Sequence, residues 1–247
     1  MVTASVVVPV YNEAGVIRTL IHDIEQVLPR LVDEFEAILV DDASTDGTSA
    51  LLDELARTRS WLRVHHADEN GGHGRAVSCG LDLARGDWIF QIDSDGQFVV
   101  AEFQRLWAVR DESDLVLGVR VKRRDPLHRL VLTRAVQGAA SIVAGRRMHD
   151  VNTPFRLLRK SVWVDCAGLM ESDTLAPNIL VSVAAVVRGW RVRTVPVTHL
   201  PRESGTSTLR WVRLLRFSLR GLRQLVVFRY RLARGSDDVA VPAGHHA

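Results

Sequence analysis

Two carboxylates stand one residue apart at the end of an apolar run. Asp93 and Asp95 follow the run Trp88-Ile89-Phe90-Gln91-Ile92, which is typical of a buried strand. An Asp-Ser-Asp-Gly stretch can be a simple turn, because these residue types favour turn conformations. The same pair can instead hold a hard divalent cation, which takes oxygen ligands and often bridges substrate phosphates. The tripeptide alone is compatible with both interpretations.

Two more polar clusters occur at the ends of predicted strands. A strand predicted at 4–10 runs into Pro9-Val10-Tyr11-Asn12-Glu13, and a strand predicted at 36–41 runs into Val40-Asp41-Asp42-Ala43-Ser44. In open α/β sheets, ligands bind beyond the carboxyl ends of the strands, near the point where the strand order reverses. Three clusters at corresponding strand ends therefore predict one polar pocket that can hold a cation.

The elements that would position these clusters alternate along the chain. Apolar periodicity predicts strands at 4–10, 36–41, 62–66, 88–93 and 114–119, and helices at 14–28, 46–57, 73–84 and 101–111. Strands separated by helices of this length form βαβ crossovers. The sequence therefore predicts an α/β fold with a mostly parallel sheet and helices on both faces.

A glycine-rich stretch, Asn70-Gly71-Gly72-His73-Gly74, precedes the third predicted helix. It lacks the lysine spacing of a P-loop and the GxGxxG spacing of a dinucleotide site. We therefore interpret it as a helix start with close packing rather than as a phosphate cradle.

Composition is ordinary for a globular protein, but the positive charge is unevenly distributed. The 247 residues are 47% hydrophobic, and 32 Lys and Arg against 29 Asp and Glu give a net charge of +3. Arginines crowd the C-terminal segment, which predicts a local anionic partner. They are Arg210, Arg213, Arg216, Arg220, Arg223, Arg229, Arg231 and Arg234. The two cysteines, Cys79 and Cys166, are far apart and fit buried thiols in a reducing compartment.

The segment 208–230 is predicted to form a basic amphipathic helix. Its arginines recur at three- and four-residue steps, opposite a predicted face of Trp211, Leu214, Leu215, Leu222 and Leu225. Such a helix can pack on the core with a solvated face, or it can lie on an anionic membrane. No run approaches the roughly 20 apolar residues of a membrane-spanning helix, so any membrane contact is expected to be peripheral. We predict three regions: a catalytic domain at 1–207, this helix at 208–234 and a disordered tail at 235–247.

Several ordered motifs resemble those of a known enzyme family. VVVPVYNE, VDDASTDGT, NGGHGRAVSCGLDLARGD and DSDGQ match, in order and spacing, the inverting glycosyltransferases of family 2 with the GT-A fold. The resemblance covers roughly residues 4–210. Among the family's branches, the chain is similar to dolichol-phosphate mannose synthase and related polyprenyl-phosphate glycosyltransferases, with support from NTPFRLLRK and RESGTSTL.

The resemblance implies roles for individual residues on the donor side. The residues that frame the nucleotide are Pro9, Tyr11, Glu13, Val40 and Asp42, with Asp42 reading the base. Asp93 and Asp95 correspond to the DxD motif that binds Mg²⁺ or Mn²⁺ on the diphosphate, with Ser94 between them and Gln97 nearby. Arg120 corresponds to a position facing the sugar donor, and Arg202 to a catalytic basic residue on a loop that closes over the phosphates.

On the acceptor side, the resemblance implies that Asn152 and Thr153 lie beside the cleft. Arg134 can belong to a solvated charged surface or meet the acceptor phosphate, and His199, close to Arg202 in the sequence, can contact the ligand or the backbone. One position departs from the family's pattern. Relatives carry a lysine where this chain has Thr208, so that charge is missing or is supplied by Arg210.

The implied reaction uses a GDP-, UDP- or dTDP-linked sugar and a polyprenyl phosphate at the cytoplasmic face of a membrane, and no nucleic acid is expected as a partner. A phosphate acceptor is already ionised near neutral pH, with a second pKa of about 6. A soluble hydroxyl acceptor, the first alternative, would need a general base such as Asp150, Glu171 or Asp173. A catalytically decayed nucleotide- or membrane-binding module is a second alternative. A nucleotidyltransferase is a third, although its usual glycine- and lysine-rich N-terminal loop is absent from this sequence.

Overall fold

The computed structural model describes the backbone of residues 2–121, 127–148, 150–201 and 211–237, and the side chains of most of these. The strands are β1 (Ala4–Val10), β2 (Phe35–Asp41), β3 (Leu62–His66), β4 (Trp88–Gln91), β5 (Leu115–Val121), β6 (Arg156–Arg159) and β7 (Val192–Thr198). The helices are α1 (Ile17–Val27), α2 (Thr48–Ala56), α3 (His73–Leu83), α4 (Phe103–Trp107), α5 (Leu127–Ala144), α6 (Lys160–Ala167), α7 (Pro177–Val187) and α8 (Trp211–Asp237).

The seven strands form one sheet in the order β3-β2-β1-β4-β6-β5-β7. β6 runs antiparallel to both of its neighbours, β4 and β5, and the other described strand pairs are parallel. The predicted α/β fold with a mostly parallel sheet is confirmed. From β1 the chain first moves outward to β2 and β3 and then crosses back to β4. The strand order therefore reverses between β1 and β4, which is where such sheets form a ligand crevice.

Alternating residues of the strands supply two apolar layers, one on each face of the sheet. In β1, Val6 and Val8 join the layer covered by α1 and α4, whereas Val7 joins the layer covered by α3, α6 and α7. Helix α3 lies very close to β1, because a Cβ on Gly80 would stand 2.4 Å from a methyl carbon of Val7. This close packing fixes the start of α3 at the carboxyl edge of the sheet.

The predicted element bounds hold best in the first hundred residues. The helix predicted at 101–111 is shorter, because α4 is flanked by 3-10 turns at Val100–Glu102 and Arg110–Glu112. Helix α8 continues to Asp237, three residues into the segment predicted as a tail. Residues 208–210 and 238–247 lie outside the described residues. Within the described ranges, no helix combines the length and apolar character needed to cross a membrane.

Helix α8 packs against α5 and α7 and joins the core of the domain. Leu225, Phe228 and Leu232 are buried in the same apolar layer as α7. Leu222, predicted to share a face with Leu225, is instead 46% exposed. It belongs to an exposed apolar row on α8, made of Leu219, Leu222, Val226 and Tyr230.

Candidate active site

A cavity of about 400 Å³ opens at the carboxyl ends of β1, β2 and β4, at the point where the strand order reverses. Its lining is Pro9, Val10, Tyr11, Glu13, Asp42, Asn70, Gly72, His73, Ala76, Asp93, Ser94 and Asp95. The structure thus brings seven of the residues predicted for the donor side around one cavity. Gln97, Arg120 and Val40 lie outside this lining, and Val40 is only 1% exposed, in the core.

The turns after β1 and β2 interlock, and this fixes one wall of the cavity. The Asn12 amide donates to the Ser44 hydroxyl at 3.0 Å, and the Thr45 amide donates back to the Asn12 side-chain oxygen at 2.7 Å. Asn12 and Ala43 have φ angles of 56° and 58°, a left-handed region that residues with a side chain seldom adopt. The reciprocal hydrogen bonds hold this conformation. Tyr11, 47% exposed, is thereby presented at the cavity.

Asp42 joins the end of β2 to the glycine-rich stretch. Its two carboxylate oxygens accept hydrogen bonds from the amides of Gly71 and Gly72 at 2.7 and 2.9 Å. The Asn70 side chain donates to the Asp42 carbonyl at 3.2 Å. Because Gly72 has a φ of 84°, this loop shape requires glycine there. Asp42 therefore shapes the cavity wall as well as lining it.

The neighbouring Asp41 faces the other way and is 1% exposed. Its carboxylate accepts from the Ser44 amide at 3.0 Å and the Ser49 hydroxyl at 2.5 Å, and contacts His66 Nδ1 at 2.8 Å. Burial raises the pKa of Asp41, but the hydrogen bonds from Ser44, Ser49 and His66 outweigh burial and hold that pKa below its usual range. Asp41 thus ties β2 to α2 and β3 and lies outside the cavity lining.

The glycine-rich stretch has two roles. A Cβ on Gly74 would stand 2.2 Å from the Thr174 carbonyl oxygen, so the close packing interpreted from the sequence is present. The stretch also lines the cavity through Asn70, Gly72 and His73, which the sequence interpretation missed. The position of this loop in the sequence could have indicated its second role, because the loop follows β3 at the same edge of the sheet as the acidic clusters.

The Asp93-Ser94-Asp95 turn lies at the centre of the site. The Ser94 hydroxyl donates to the Pro9 carbonyl at 2.9 Å, which locks the turn to β1, and Asp95 accepts from the Gln97 amide at 3.2 Å. Asp93 is 25% exposed, yet its Oδ1 is buried and lacks a hydrogen-bond partner among the described residues. His73 Nε2 lies 3.7 Å from that oxygen. Burial raises the pKa of Asp93, and the charge of Asp95 adds to the rise while His73 opposes it.

These carboxylates fit a hard divalent cation bound together with a substrate. Within the described part of the chain, no group of three or more His, Cys, Asp and Glu side chains could hold a metal ion. Asp93 and Asp95 offer carboxylate oxygens on one turn that lines the cavity. Mg²⁺ and Mn²⁺ sites of this kind complete their coordination with phosphate oxygens and water.

The chain after β7 is tied to the same turn. The Gln97 side chain donates to the Leu200 carbonyl at 3.1 Å, and the Leu200 amide donates to the Gln97 carbonyl at 2.8 Å. His199 forms a bridge with Phe98, and the two rings meet edge to face with centroids 5.3 Å apart. His199 therefore lies near the acidic turn. The predicted residues Arg202 and Arg210, like Thr208, lie outside the described residues.

Arg120 is held by a carboxylate at the carboxyl end of β5. Asp150 accepts from Arg120 Nε at 3.0 Å and Nη2 at 2.5 Å, and also from the Arg120 amide at 3.2 Å. Both side chains are nearly buried, at 12% and 10% exposure. Asp150, one of the three candidate general bases, is thus a partner of Arg120 and lies outside the cavity lining.

The remaining predicted residues lie apart from the cavity lining. Thr153 is fully buried and its hydroxyl accepts from the Phe155 amide at 3.4 Å, while Asn152 and Arg134 are exposed. The other two candidate bases pair with arginines of α8. Glu171 binds Arg223 at 2.7 Å, and Asp173 binds Arg220.

Comparisons with known proteins agree with this geometry. Residues 5–166 match the model of Glycosyl transferase family 2. Over 213 residues the chain is 29% identical to an undecaprenyl-phosphate 4-deoxy-4-formamido-L-arabinose transferase of Klebsiella pneumoniae, covering 85% of this chain and 64% of that relative. It is 31% identical over 216 residues to a polyprenol monophosphomannose synthase of Mycolicibacterium smegmatis, covering 83% of this chain and 80% of the relative.

A solved structure shows the same fold. The mannosyltransferase of Pyrobaculum calidifontis in complex with GDP-Man and Mn²⁺ superposes with a TM-score of 0.62 at 20% identity, over 98% of this chain and 76% of that one. The chain spans somewhat less than two thirds of the length of the Klebsiella relative. The match to the family model covers well over half of the chain, and the sheet order agrees with the fold that the motifs implied. The chain belongs to Glycosyl transferase family 2.

Proposed function

We propose that this chain is a metal-dependent, inverting glycosyltransferase that moves a sugar from a nucleoside diphosphate donor to a polyprenyl phosphate. The observation that carries the proposal is the Asp93-Ser94-Asp95 turn, which shares one cavity with Tyr11 and Asp42 at the strand-order reversal. A cation site and a polar wall for a nucleoside would then line the same cavity. Related proteins whose names specify undecaprenyl phosphate or polyprenol as partner support the acceptor.

The wall formed by β1 and β2 would bind the nucleoside. Tyr11 offers an exposed ring, and Asp42 offers a carboxylate beside the loop that carries Asn70 and Gly72. The diphosphate would then lie toward β4, over Asp93 and Asp95. A cation held by these two carboxylates would offset the negative charge of the phosphates.

Departure of the nucleoside diphosphate is the difficult part of the reaction. Mg²⁺ or Mn²⁺, when bound, stabilises the negative charge that grows on the leaving phosphates. Asp93 and Asp95 would hold that ion, and the Ser94 bond to Pro9 keeps their turn in place. Arg202, which lies outside the described residues, would supply positive charge to the phosphates, as the motif resemblance implies.

A phosphate acceptor fits this site because it needs no general base. It attacks the anomeric carbon without giving up a proton, and direct attack opposite the leaving group inverts that carbon. A hydroxyl acceptor would need a base, and the three candidates are engaged elsewhere: Asp150 with Arg120, Glu171 with Arg223, and Asp173 with Arg220. These pairings favour the phosphate acceptor over the soluble hydroxyl acceptor.

Helix α8 would bring the cavity to the membrane that carries such an acceptor. Its exposed row of Leu219, Leu222, Val226 and Tyr230 offers apolar contact, and its arginine-rich sequence supplies positive charge that attracts anionic lipid. Arg220 and Arg223 also pair with acids of the protein, so part of that charge is already compensated. The free cysteines Cys79 and Cys166 support a reducing compartment, and we place the contact at the cytoplasmic face.

The test is a donor screen with matched acceptors. Purified protein is incubated with GDP-, UDP- and dTDP-linked sugars, Mn²⁺, and either a short-chain polyprenyl phosphate or the same prenol without phosphate. Release of nucleoside diphosphate should require the phosphate and stop in excess EDTA. Equal release with the prenol, or undiminished release in EDTA, would contradict the proposal.

A further inference from the structure

A polar layer lies beneath the acidic turn, on the face of the sheet covered by α3 and α7. Gln91 of β4 and Arg156 of β6 are direct cross-strand partners, so their Cβ atoms are about 5 Å apart on the same face. Ile89 and Leu158, each two residues away, belong to the apolar layer of that face. Asp93 follows Gln91 by two residues, and it lines the cavity together with residues of α3. Gln91 and Asp93 are therefore neighbours on one side of the sheet.

Arg156 is anchored in this layer and is 1% exposed. Its Nε donates to the Thr153 carbonyl at 2.8 Å and its Nη2 to the Val151 carbonyl at 3.0 Å. Its Nη1 donates to the Asn178 carbonyl at 2.9 Å and to the Ser182 hydroxyl at 3.4 Å. These four hydrogen bonds use four of the five guanidinium N–H groups. One N–H of a buried cation is left for a further acceptor among the neighbouring groups.

Gln91 is fully buried, and neither its Nε2 nor its Oε1 has a hydrogen-bond partner among the described residues. The buried Oδ1 of Asp93 is in the same situation. Buried amides and carboxylates in folded proteins are almost always satisfied, by protein groups or by ordered water. These three atoms belong to the last residue of β4 and to a residue two positions beyond it, and Arg156 beside them has a spare donor. Together they provide the two to four polar partners that a buried water needs.

We propose that Gln91 is a positioning residue for Asp93, acting through one ordered water that bridges the Gln91 amide and Asp93 Oδ1. The water fixes the rotation of the carboxylate. Because Oδ1 is buried while the Asp93 side chain is 25% exposed and lines the cavity, Oδ2 is the oxygen available to a cation there. A water that holds Oδ1 on the buried side of the carboxylate thus leaves Oδ2 facing a cation. This inference rests on the metal role in the proposed function.

The test uses Gln91→Met, which keeps the length and apolar bulk of the side chain and removes its hydrogen bonds. Mn²⁺ affinity is measured by electron paramagnetic resonance, in the presence of whichever of GDP or UDP the wild type binds. Groups behind a metal ligand typically tune metal affinity by about 10–100-fold, so we expect at least about tenfold weaker Mn²⁺ binding. The melting temperature without metal should stay the same or rise, because a buried polar amide is replaced by an apolar side chain.

The matched control is Ser5→Ala. Ser5 is also fully buried in the sheet, but it lies at the amino end of β1, where it donates to Glu36 at 2.8 Å. This control should lower the melting temperature and leave Mn²⁺ affinity unchanged. A Gln91→Met protein with a lower melting temperature but the Mn²⁺ affinity of the wild type would show that Gln91 has a structural role. That result would overturn the proposal.

A crystal structure of the wild-type protein provides the second readout. It should show a water within hydrogen-bond distance of both the Gln91 amide and Asp93 Oδ1. If both groups have other partners and share no water, the proposal is wrong. If the wild type binds no Mn²⁺, the metal role in the proposed function fails, and the crystal structure still decides whether the water orients Asp93.

Discussion

Replacing Asp42 by alanine should weaken nucleoside diphosphate binding, because this carboxylate both lines the cavity and holds its glycine loop. Two backbone amides, those of Gly71 and Gly72, donate to it at 2.7 and 2.9 Å. Hydrogen bonds to a charged acceptor contribute about 1.5–3 kcal/mol each. Gly71 is exposed and Gly72 half-buried, so water replaces part of what is lost. A net loss of about 1–3 kcal/mol in binding follows, which is about 5- to 150-fold in Kd.

The neighbouring aspartate provides the matched control. Asp41 is buried, lies outside the cavity lining, and accepts from Ser44, Ser49 and His66. Asp41→Ala should therefore lower the free energy of unfolding by about 2–4 kcal/mol, the cost of leaving several buried donors without their acceptor. Its folded fraction should bind nucleotide much as the wild type does.

Titration calorimetry with the nucleoside diphosphate gives the two affinities, and urea unfolding gives the two stabilities. The reasoning requires opposite patterns, with affinity falling in Asp42→Ala and stability falling in Asp41→Ala. Wild-type affinity in Asp42→Ala would remove this residue from the binding site. Equal loss of affinity in both variants would mean that the turn acts as one structural unit.

Three more predictions follow from the described contacts. Asp93→Asn and Asp95→Asn should each abolish turnover and Mn²⁺ binding while circular dichroism stays native, since an amide lacks the charge that holds the cation; full turnover in either would exclude the metal role. Burial lowers the pKa of His66, but its two carboxylate partners outweigh burial and raise that pKa. The two ion pairs of protonated His66 thus stabilise the fold below about pH 6.5, and this stabilisation is lost as pH rises through the folded pKa. The difference in free energy of unfolding between wild type and His66→Gln should therefore narrow from about pH 5 to about pH 8, and a constant difference would contradict this. Replacing Leu222 and Val226 of the exposed row by Gln should reduce sedimentation with anionic vesicles by about tenfold or more without changing nucleotide affinity, and unchanged sedimentation would exclude this row from membrane contact.

The first half of the fold could be predicted because its strands and helices carry clean periodic patterns. Strands β1 and β2 are buried along nearly their whole length, and helix α1 buries one face only. The second half offers weaker signals. Strand β6 has four residues and begins with the buried Arg156, and α7 is apolar on most of its surface because it is covered by α5, α6 and α8. Neither pattern distinguishes a short strand or an enclosed helix from a loop.

The candidate site was predictable where residue type and strand end coincide, as for Asp42, Asp93 and Asp95. Val40 does not line the cavity, because the alternation of side chains along β2 turns its side chain into the core. His73 was missed because glycine signals dominated the interpretation of its loop. The partner of Arg120 depends on a contact across thirty residues, and no local pattern specifies Asp150 for that role.

Tertiary contacts that no local pattern specifies also explain why Leu222 was wrongly predicted to share a face of α8 with Leu225. The three- and four-residue arginine spacing correctly predicts a helix, but two apolar rows share that helix, and the sequence alone does not tell which row is covered. Burial of Leu225 and Phe228 against the core leaves Leu222 on the exposed side.

The proposed reaction is sugar transfer to a polyprenyl phosphate with inversion at the anomeric carbon. The most direct measurement is mass spectrometry of the lipid product, combined with nuclear magnetic resonance of its anomeric proton. We predict a polyprenyl-phosphate sugar whose anomeric configuration is opposite to that of the donor, formed only with a divalent cation. A product with retained configuration, or a sugar attached to a soluble hydroxyl acceptor while the lipid phosphate stays unmodified, would contradict the account.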